Sequence, residues 1–241
     1  MIMGKARGYV IYEGKSLLDG APIVAIVTLS SSNRKTGNVA QTWILRADVR
    51  PMEALKSGQD VSVCGDCKQR PFLGGACYVN VSWAPSHVWE AYKAGKYPRM
   101  NPWDVTEIVA GRIVRLGSYG DPAAVPSWIW RALVSKAKGW VGYTHQWKIR
   151  PSLHDLCMAS VDDAKEYAEA KQLGWRTFRV RTADEHLMTK EVTCPASDEA
   201  GNKTTCEKCR LCAGTSKPAK DIAIVVHGVM AKRFIELRKV S

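Results

Sequence analysis

From Gly111 onward the chain alternates strand-sized and helix-sized segments, and this alternation constrains the fold more than any other feature. Arg112 to Leu116 reads as a strand, followed by a Gly/Asp/Pro loop and a helix from about Pro126 to Ala137. Gly139 to Tyr143 and Leu156 to Ala159 are further strand candidates. Val161 to Leu173 is a helix candidate, with Ser160 and Asp163 at capping-box spacing and Gly174 as its stop. Trp175 to Arg181 and Ile222 to Val226 read as strands, and a basic helix, Val229 to Val240, carries Met230, Phe234 and Leu237 on one face. Strands that alternate with helices of this size imply βα units and a mainly parallel sheet. The expectation is an α/β fold, a small or incomplete (β/α) barrel. Residues 84–241, the part available to it, number roughly 160, and a full barrel takes about 250.

The part before the alternation has a different texture. Residues 1–83 are strand-rich, with Ile23 to Leu29 and Gln41 to Arg46 separated by the polar stretch Ser30 to Asn38, which has turn chemistry. Residues 84–241 form the βα-repeat part, entered through two helix candidates, Pro85 to Gly95 and Trp103 to Ala110. The two parts are expected to make one compact unit.

The eight cysteines fall into groups. Cys206-Glu-Lys-Cys209-Arg-Leu-Cys212 follows Cys194 and precedes His227. Thiolates two residues apart turn onto one metal centre without strain, so this group is expected to hold Zn2+ or an iron–sulfur cluster such as a 4Fe-4S centre. Cys64-Gly-Asp-Cys67 and Cys77 form a second group of three. If Cys157 joins them, the site is closed by four thiolates. If Cys157 is only a small buried residue, one coordination position stays open, as catalysis requires.

Met1-Ile-Met-Gly-Lys5 has no apolar stretch behind it of the kind a secretory signal carries. The cysteines are therefore expected to meet a reducing cytoplasm, where metal binding is the commoner use of clustered thiols. No apolar run approaches the roughly 20 residues of a membrane helix, so no membrane partner is expected. The 35 Lys and Arg outnumber the 23 Asp and Glu, and the net charge of +12 suits a polyanionic partner, DNA or another nucleic acid, or a nucleobase substrate.

Ligands of parallel α/β sheets bind outside the carboxyl ends of the strands. Three loops there carry polar side chains. Arg115-Leu-Gly-Ser118-Tyr119-Gly-Asp121 offers Arg115, Ser118 and Tyr119 to a substrate and Asp121 as a carboxylate; Tyr143-Thr-His145 and Ser160-Val-Asp162 offer His145 and Asp162. Asp121, His145 and Asp162 are expected to converge as acid, base or nucleophile. The bland alternatives are a turn aspartate, a histidine bonded to backbone and a helix-start aspartate. Arg176, Arg179 and Arg181 either reach phosphates, with Arg179 the substrate contact, or lie on the surface.

The strings Cys64-Gly-Asp-Cys67 to Ala76-Cys77-Tyr78-Val-Asn80, Arg115 to Pro126, Gly142-Tyr-Thr-His145, Cys157-Met-Ala-Ser160, Trp175 to Arg179, Cys194-Pro-Ala-Ser197 and Thr205 to Cys212 resemble those of an uncharacterised bacteriophage family, the gene-product-88-like group. That resemblance spans nearly the whole chain and implies a phage or prophage origin without an activity. The C-terminal Cys206, Cys209, Cys212 and His227 are also similar to the zinc site of queuine tRNA-ribosyltransferases and phage 7-deazaguanine DNA transglycosylases, although those families space their first pair by one residue. That similarity implies a zinc barrel with Asp121 and Asp162 as paired catalytic aspartates. Radical SAM barrels are similar in carrying a three-Cys site and often a further four-Cys cluster. They imply S-adenosylmethionine as cosubstrate, and they space their three cysteines three then two, where Cys64, Cys67 and Cys77 are spaced two then nine. The combined expectation is a phage metalloprotein that modifies DNA or a nucleobase, the alternative being a non-catalytic, metal-stabilised DNA-binding or regulatory protein.

Overall fold

A computed structural model describes residues 6–30 and 35–240. Nine strands form one sheet: β1 (Gly8–Lys15), β2 (Pro22–Thr28), β3 (Ala40–Arg46), β4 (Ile113–Tyr119), β5 (Gly139–Thr144), β6 (Met158–Val161), β7 (Thr177–Arg181), β8 (Glu191–Thr193) and β9 (Asp221–Val225). Their order is β1-β2-β3-β4-β5-β6-β7-β9-β8. The β1–β2 and β2–β3 pairs are antiparallel, and every pairing from β3 onward is parallel. The β3–β4 pairing joins the strand-rich part to the βα part. β1 and β8 are the strands that the sequence reading did not single out.

From β3 to β7 each new parallel strand adds on the same side of the last, which is how a barrel winds, whereas β9 enters between β7 and the edge strand β8. The sheet nevertheless stays open. An antiparallel hairpin occupies one edge and the three-residue β8 the other, so neither edge offers a parallel partner long enough for closure. The barrel expectation thus resolves into an open, one-directional α/β sheet.

One-directional winding with right-handed crossovers puts the connecting helices on one face. Four helices lie in the β3–β4 connection: α1 (Pro51–Ser57), α2 (Val61–Cys64), α3 (Ala84–Lys93) and α4 (Pro102–Val109). α5 (Ser127–Val134) and α6 (Ala164–Gln172) are the next crossovers, and α7 (Cys206–Cys209) and α8 (Ala231–Val240) complete the set. Val105 and Val109 of α4, Ile129, Trp130 and Leu133 of α5 and Ala170 of α6 all enter the main core with Val114, Leu116 and Ala159 of the sheet. Asn101 caps α4 by accepting from Trp103 N at 2.9 Å, with Pro102 at the first helical position. α6 does open on a capping box, shifted from the expected pair. Asp163 accepts from Glu166 N at 2.8 Å, and Glu166 accepts from Asp162 N at 2.9 Å.

The opposite face carries a second, smaller core. Val141, Met158, Ile222 and Ile224 project there and are covered by Cys194, Ala196 and Cys212 from the connection between β8 and β9. Buried arginines hold that connection. Arg176 donates to four carbonyls, those of Leu211 (2.7 Å), Gly214 (2.9 Å), Ala219 (2.9 Å) and Lys220. Arg179 pairs with Glu191 at 2.8 Å and Glu185 at 2.6 Å, and Arg181 with Glu199. These three residues are 6%, 1% and 5% exposed, so they are neither surface groups nor phosphate ligands. The expectation that Arg179 contacts substrate is corrected: its guanidinium is spent on carboxylates inside the protein.

Candidate functional site

At the carboxyl ends of the parallel strands, on the face of the second core, lies a cavity of about 310 Å3. Its lining includes Asp121, His145 and Asp162, the expected substrate contacts Arg115, Ser118 and Tyr119, and seven of the eight cysteines. Strand alternation explains the selection. On β4, Arg115 points to this face while its neighbours Val114 and Leu116 enter the main core, and Tyr143 of β5, Phe178 of β7 and Ile224 of β9 also line the cavity.

Cys64, Cys67 and Cys77 come from the long β3–β4 connection. Cys64 ends α2, and Gly65 follows with φ of 61°, where a Cβ would collide with the Gln146 amide. Gln146 Nε2 donates to Cys64 O at 3.2 Å and to Asp66 at 2.6 Å. Arg70 donates to Gly65 O at 3.1 Å while paired with buried Asp60 at 2.6 Å. Gln146, Arg70 and Asp60 therefore shape the knuckle, and sequence reasoning missed them; the only signal was that Gln146 adjoins His145. Burial pushes the Cys64 thiol well above its ordinary pKa, with Cys67 and Cys77 adding to the rise. Burial likewise lifts Cys77 to about 11.

Cys157 does not join this group. It is fully buried in the main core against Gly142, and the period-2 alternation of the segment puts Cys157 and Ala159 on that side and Met158 on the other. The expectation of Cys157 as a ligand is corrected accordingly. Beside the three thiols in the cavity lining stands instead His145. Burial opposes charge on His145, but Cys67, Asp162 and Asp121 outweigh it and raise its pKa to about 10.

Asp121 is placed differently from a free catalytic carboxylate. It accepts from Ala123 N at 2.9 Å, Thr144 Oγ1 at 2.7 Å and His145 N at 2.7 Å, so both oxygens are engaged in tying the β4 loop to the β5 loop. Burial raises its pKa against those bonds. Asp162 is half-buried at the cavity edge and accepts from Gln69 Nε2 at 3.0 Å.

Cys194, Cys206, Cys209 and Cys212 line the same cavity, beside the second core. Main-chain bonds fix them: Cys194 N donates to Ala223 O at 2.8 Å, Gly142 N to Cys212 O at 2.8 Å and Cys206 N to Lys35 O at 3.1 Å. Burial raises Cys212 to about 12. The expected partner His227 lines the cavity too, its Nε2 meeting Lys35 Nζ at 3.0 Å and its Nδ1 bonded with Val225 O at 3.2 Å. Among the described residues, no three His, Cys, Asp or Glu side chains stand at the mutual spacing of a bound metal ion. No helix among them is long and apolar enough to cross a membrane. Comparison with protein-family models, with curated proteins and with solved structures finds no match to this chain.

Proposed function

We propose that this protein is a metalloenzyme that modifies a nucleobase, free or within DNA, in the cavity at the strand ends. In this reading Cys64, Cys67 and Cys77 draw in from their present spacing to hold an open catalytic centre, and Cys194, Cys206, Cys209 and Cys212 likewise to hold a second centre closed by four thiolates. The observation that carries the reading is that both thiol groups line one cavity while Cys157 is sequestered in the main core. Three thiolates without a fourth leave a coordination position for a substrate or cosubstrate, which is the chemistry that an iron–sulfur cluster or an open zinc site supplies.

Of the two chemistries suggested by resemblance, the iron–sulfur one is better supported. A transglycosylase needs an aspartate free to attack a sugar carbon. The oxygens of Asp121 already accept three hydrogen bonds, which suits positioning His145 rather than attack. His145, between Cys67 and the Asp162 carboxylate, is the group placed to hold or move a proton. Tyr143 and Phe178, with ring centroids 4.2 Å apart, offer an aromatic wall to a planar base. The net charge of +12 and the resemblance to phage proteins favour DNA as the source of that base, in a bacterial cytoplasm that keeps the thiols reduced.

Anaerobic purification followed by iron, sulfide and zinc analysis tests the reading. A brown protein with iron and sulfide, losing one centre in Cys64→Ser and the other in Cys209→Ser, is expected. Colourless protein with zinc alone overturns the iron–sulfur form, and protein that retains no metal overturns the metalloenzyme reading.

A further inference from the structure

We infer that the cavity wall built by Arg115, Tyr78, His227 and Lys35 is a receptor for an anionic group, and that its ligand is the 5′-phosphate of a nucleotide whose base occupies the cavity. The inference rests on the cavity being the substrate site, as proposed above, and it specifies the substrate class. The four side chains form a continuous row along the lining. Arg115 Nη2 donates to Tyr78 Oη at 2.9 Å. The Tyr78 ring stacks with His227 at 6.4 Å between centroids, and His227 Nε2 meets Lys35 Nζ at 3.0 Å.

This row is cationic at both ends, and its Arg115 end has polar capacity to spare. Arg115 Nε is buried without a hydrogen-bond partner, and so is Ser118 Oγ on the same lining. Among the described residues no carboxylate pairs with Arg115. Buried donors without acceptors cost free energy, and an anion with several oxygens satisfies them with charge-assisted bonds. A guanidinium, a tyrosine hydroxyl and an ammonium on one wall match the oxygens of a phosphate, while the aromatic pair Tyr143 and Phe178 gives a base its stacking surface in the same cavity. Burial lowers the Lys35 pKa, Cys194 and Cys206 oppose that, and Arg115 adds to the lowering.

The test is calorimetric titration of the full-length, anaerobically purified protein with the four deoxynucleosides and with the corresponding 5′-monophosphates, inorganic phosphate serving as competitor. The preferred monophosphate is expected to bind about 10- to 100-fold more tightly than its nucleoside, and phosphate to compete with it. Arg115→Gln should bring that ratio close to one, and Arg115→Lys should restore part of it, with thermal unfolding confirming that both variants are folded. Equal affinity for nucleoside and nucleotide, no binding of either, or an unchanged ratio in Arg115→Gln overturns the proposal. If Arg115 serves only the nearby Cys206 thiol, Arg115→Gln lowers metal retention and leaves the ratio untouched, which also overturns it. Metal analysis of the same samples separates the two readings. Protein that discriminates nucleotide from nucleoside without metal condemns the metal centre alone, and metal-replete protein without discrimination condemns the anion receptor alone.

Discussion

The two thiol groups share a cavity but are built on different foundations. Cys64, Cys67 and Cys77 sit on polar scaffolding, with the Arg70–Asp60 pair beneath them and Gln146 bracing the turn. Cys194 and Cys212 are part of a hydrophobic core with Val141, Met158, Ile222 and Ile224. The first group is coupled to the strand-end loops, since Gln146 adjoins His145 and Asp121 N donates to Val63 O at 2.6 Å. The second is coupled to the sheet. Disturbing the second should therefore unfold a face of the protein, whereas disturbing the first should cost chemistry and leave the sheet intact.

Arg176→Met breaks this comparison most severely. The side chain satisfies four carbonyls around the second group, one buried and three part-buried, and its removal leaves all four without that donor. Urea denaturation should show a loss of about 3 kcal/mol or more, accompanied under the proposed function by loss of metal from the C-terminal cysteines. A loss within the range of an ordinary surface substitution would mean that this face does not depend on the Cys-rich connection.

Gly65→Ala strikes the other foundation. The residue has φ of 61°, and a Cβ there collides with the Gln146 side chain. The expected cost is about 1–3 kcal/mol, and under the proposed function the first metal centre is lost and the second retained. Loss of both centres together would show that the two groups are a single cooperative site.

Cys157→Ser separates thiols that line the cavity from the one that does not. A hydroxyl in the main core should cost about 1–2 kcal/mol and leave the metal content unchanged. Cys77→Ser should do the reverse, emptying the first centre with little change in unfolding. If Cys157→Ser also releases metal, the first site is closed by four thiolates and its catalytic role falls.

How far the sequence reading reached follows from the same contrast. The βα alternation was legible because Gly and Pro punctuate it, and α4, α5, α6 and β9 fall where the pattern places them to within a few residues. The shift of the α6 cap from Ser160 to Asp163 is a local competition between good capping residues that sequence spacing does not decide. What was illegible depended on which face a strand residue takes. Arg176, Arg179 and Arg181 read as exposed because charge favours water, yet partners distant in sequence neutralise or satisfy them in the interior. The face of Cys157 and the engagement of His227 by Lys35 depend likewise on contacts that exist only once the sheet has formed. Gln146, Arg70 and Asp60 act through backbone carbonyls and each other, and no spacing rule marks such residues.

The smallest effect concerns how far the second foundation extends toward the surface. Arg131 donates to Asp155 Oδ1 at 2.8 Å and to Ser152 O at 2.9 Å, and the adjacent His154 carbonyl receives Thr215 N at 3.1 Å, just beyond the last cysteine. The Arg131 guanidinium lowers the Asp155 pKa, with burial opposing it. A carboxylate depressed in the folded state contributes stability above its unfolded pKa of about 3.9, and that contribution is lost as pH falls through the folded value. Both side chains are 45% exposed, so solvent screening holds the contribution to about 0.5 kcal/mol, and added salt should reduce it further. Asp155→Asn should therefore be slightly less stable than the parent at pH 7 and indistinguishable from it in strong acid, with the metal content of both centres unchanged. A larger loss at pH 7 accompanied by release of the C-terminal metal would move the anchor of the Cys-rich connection outward from Arg176 to this surface pair.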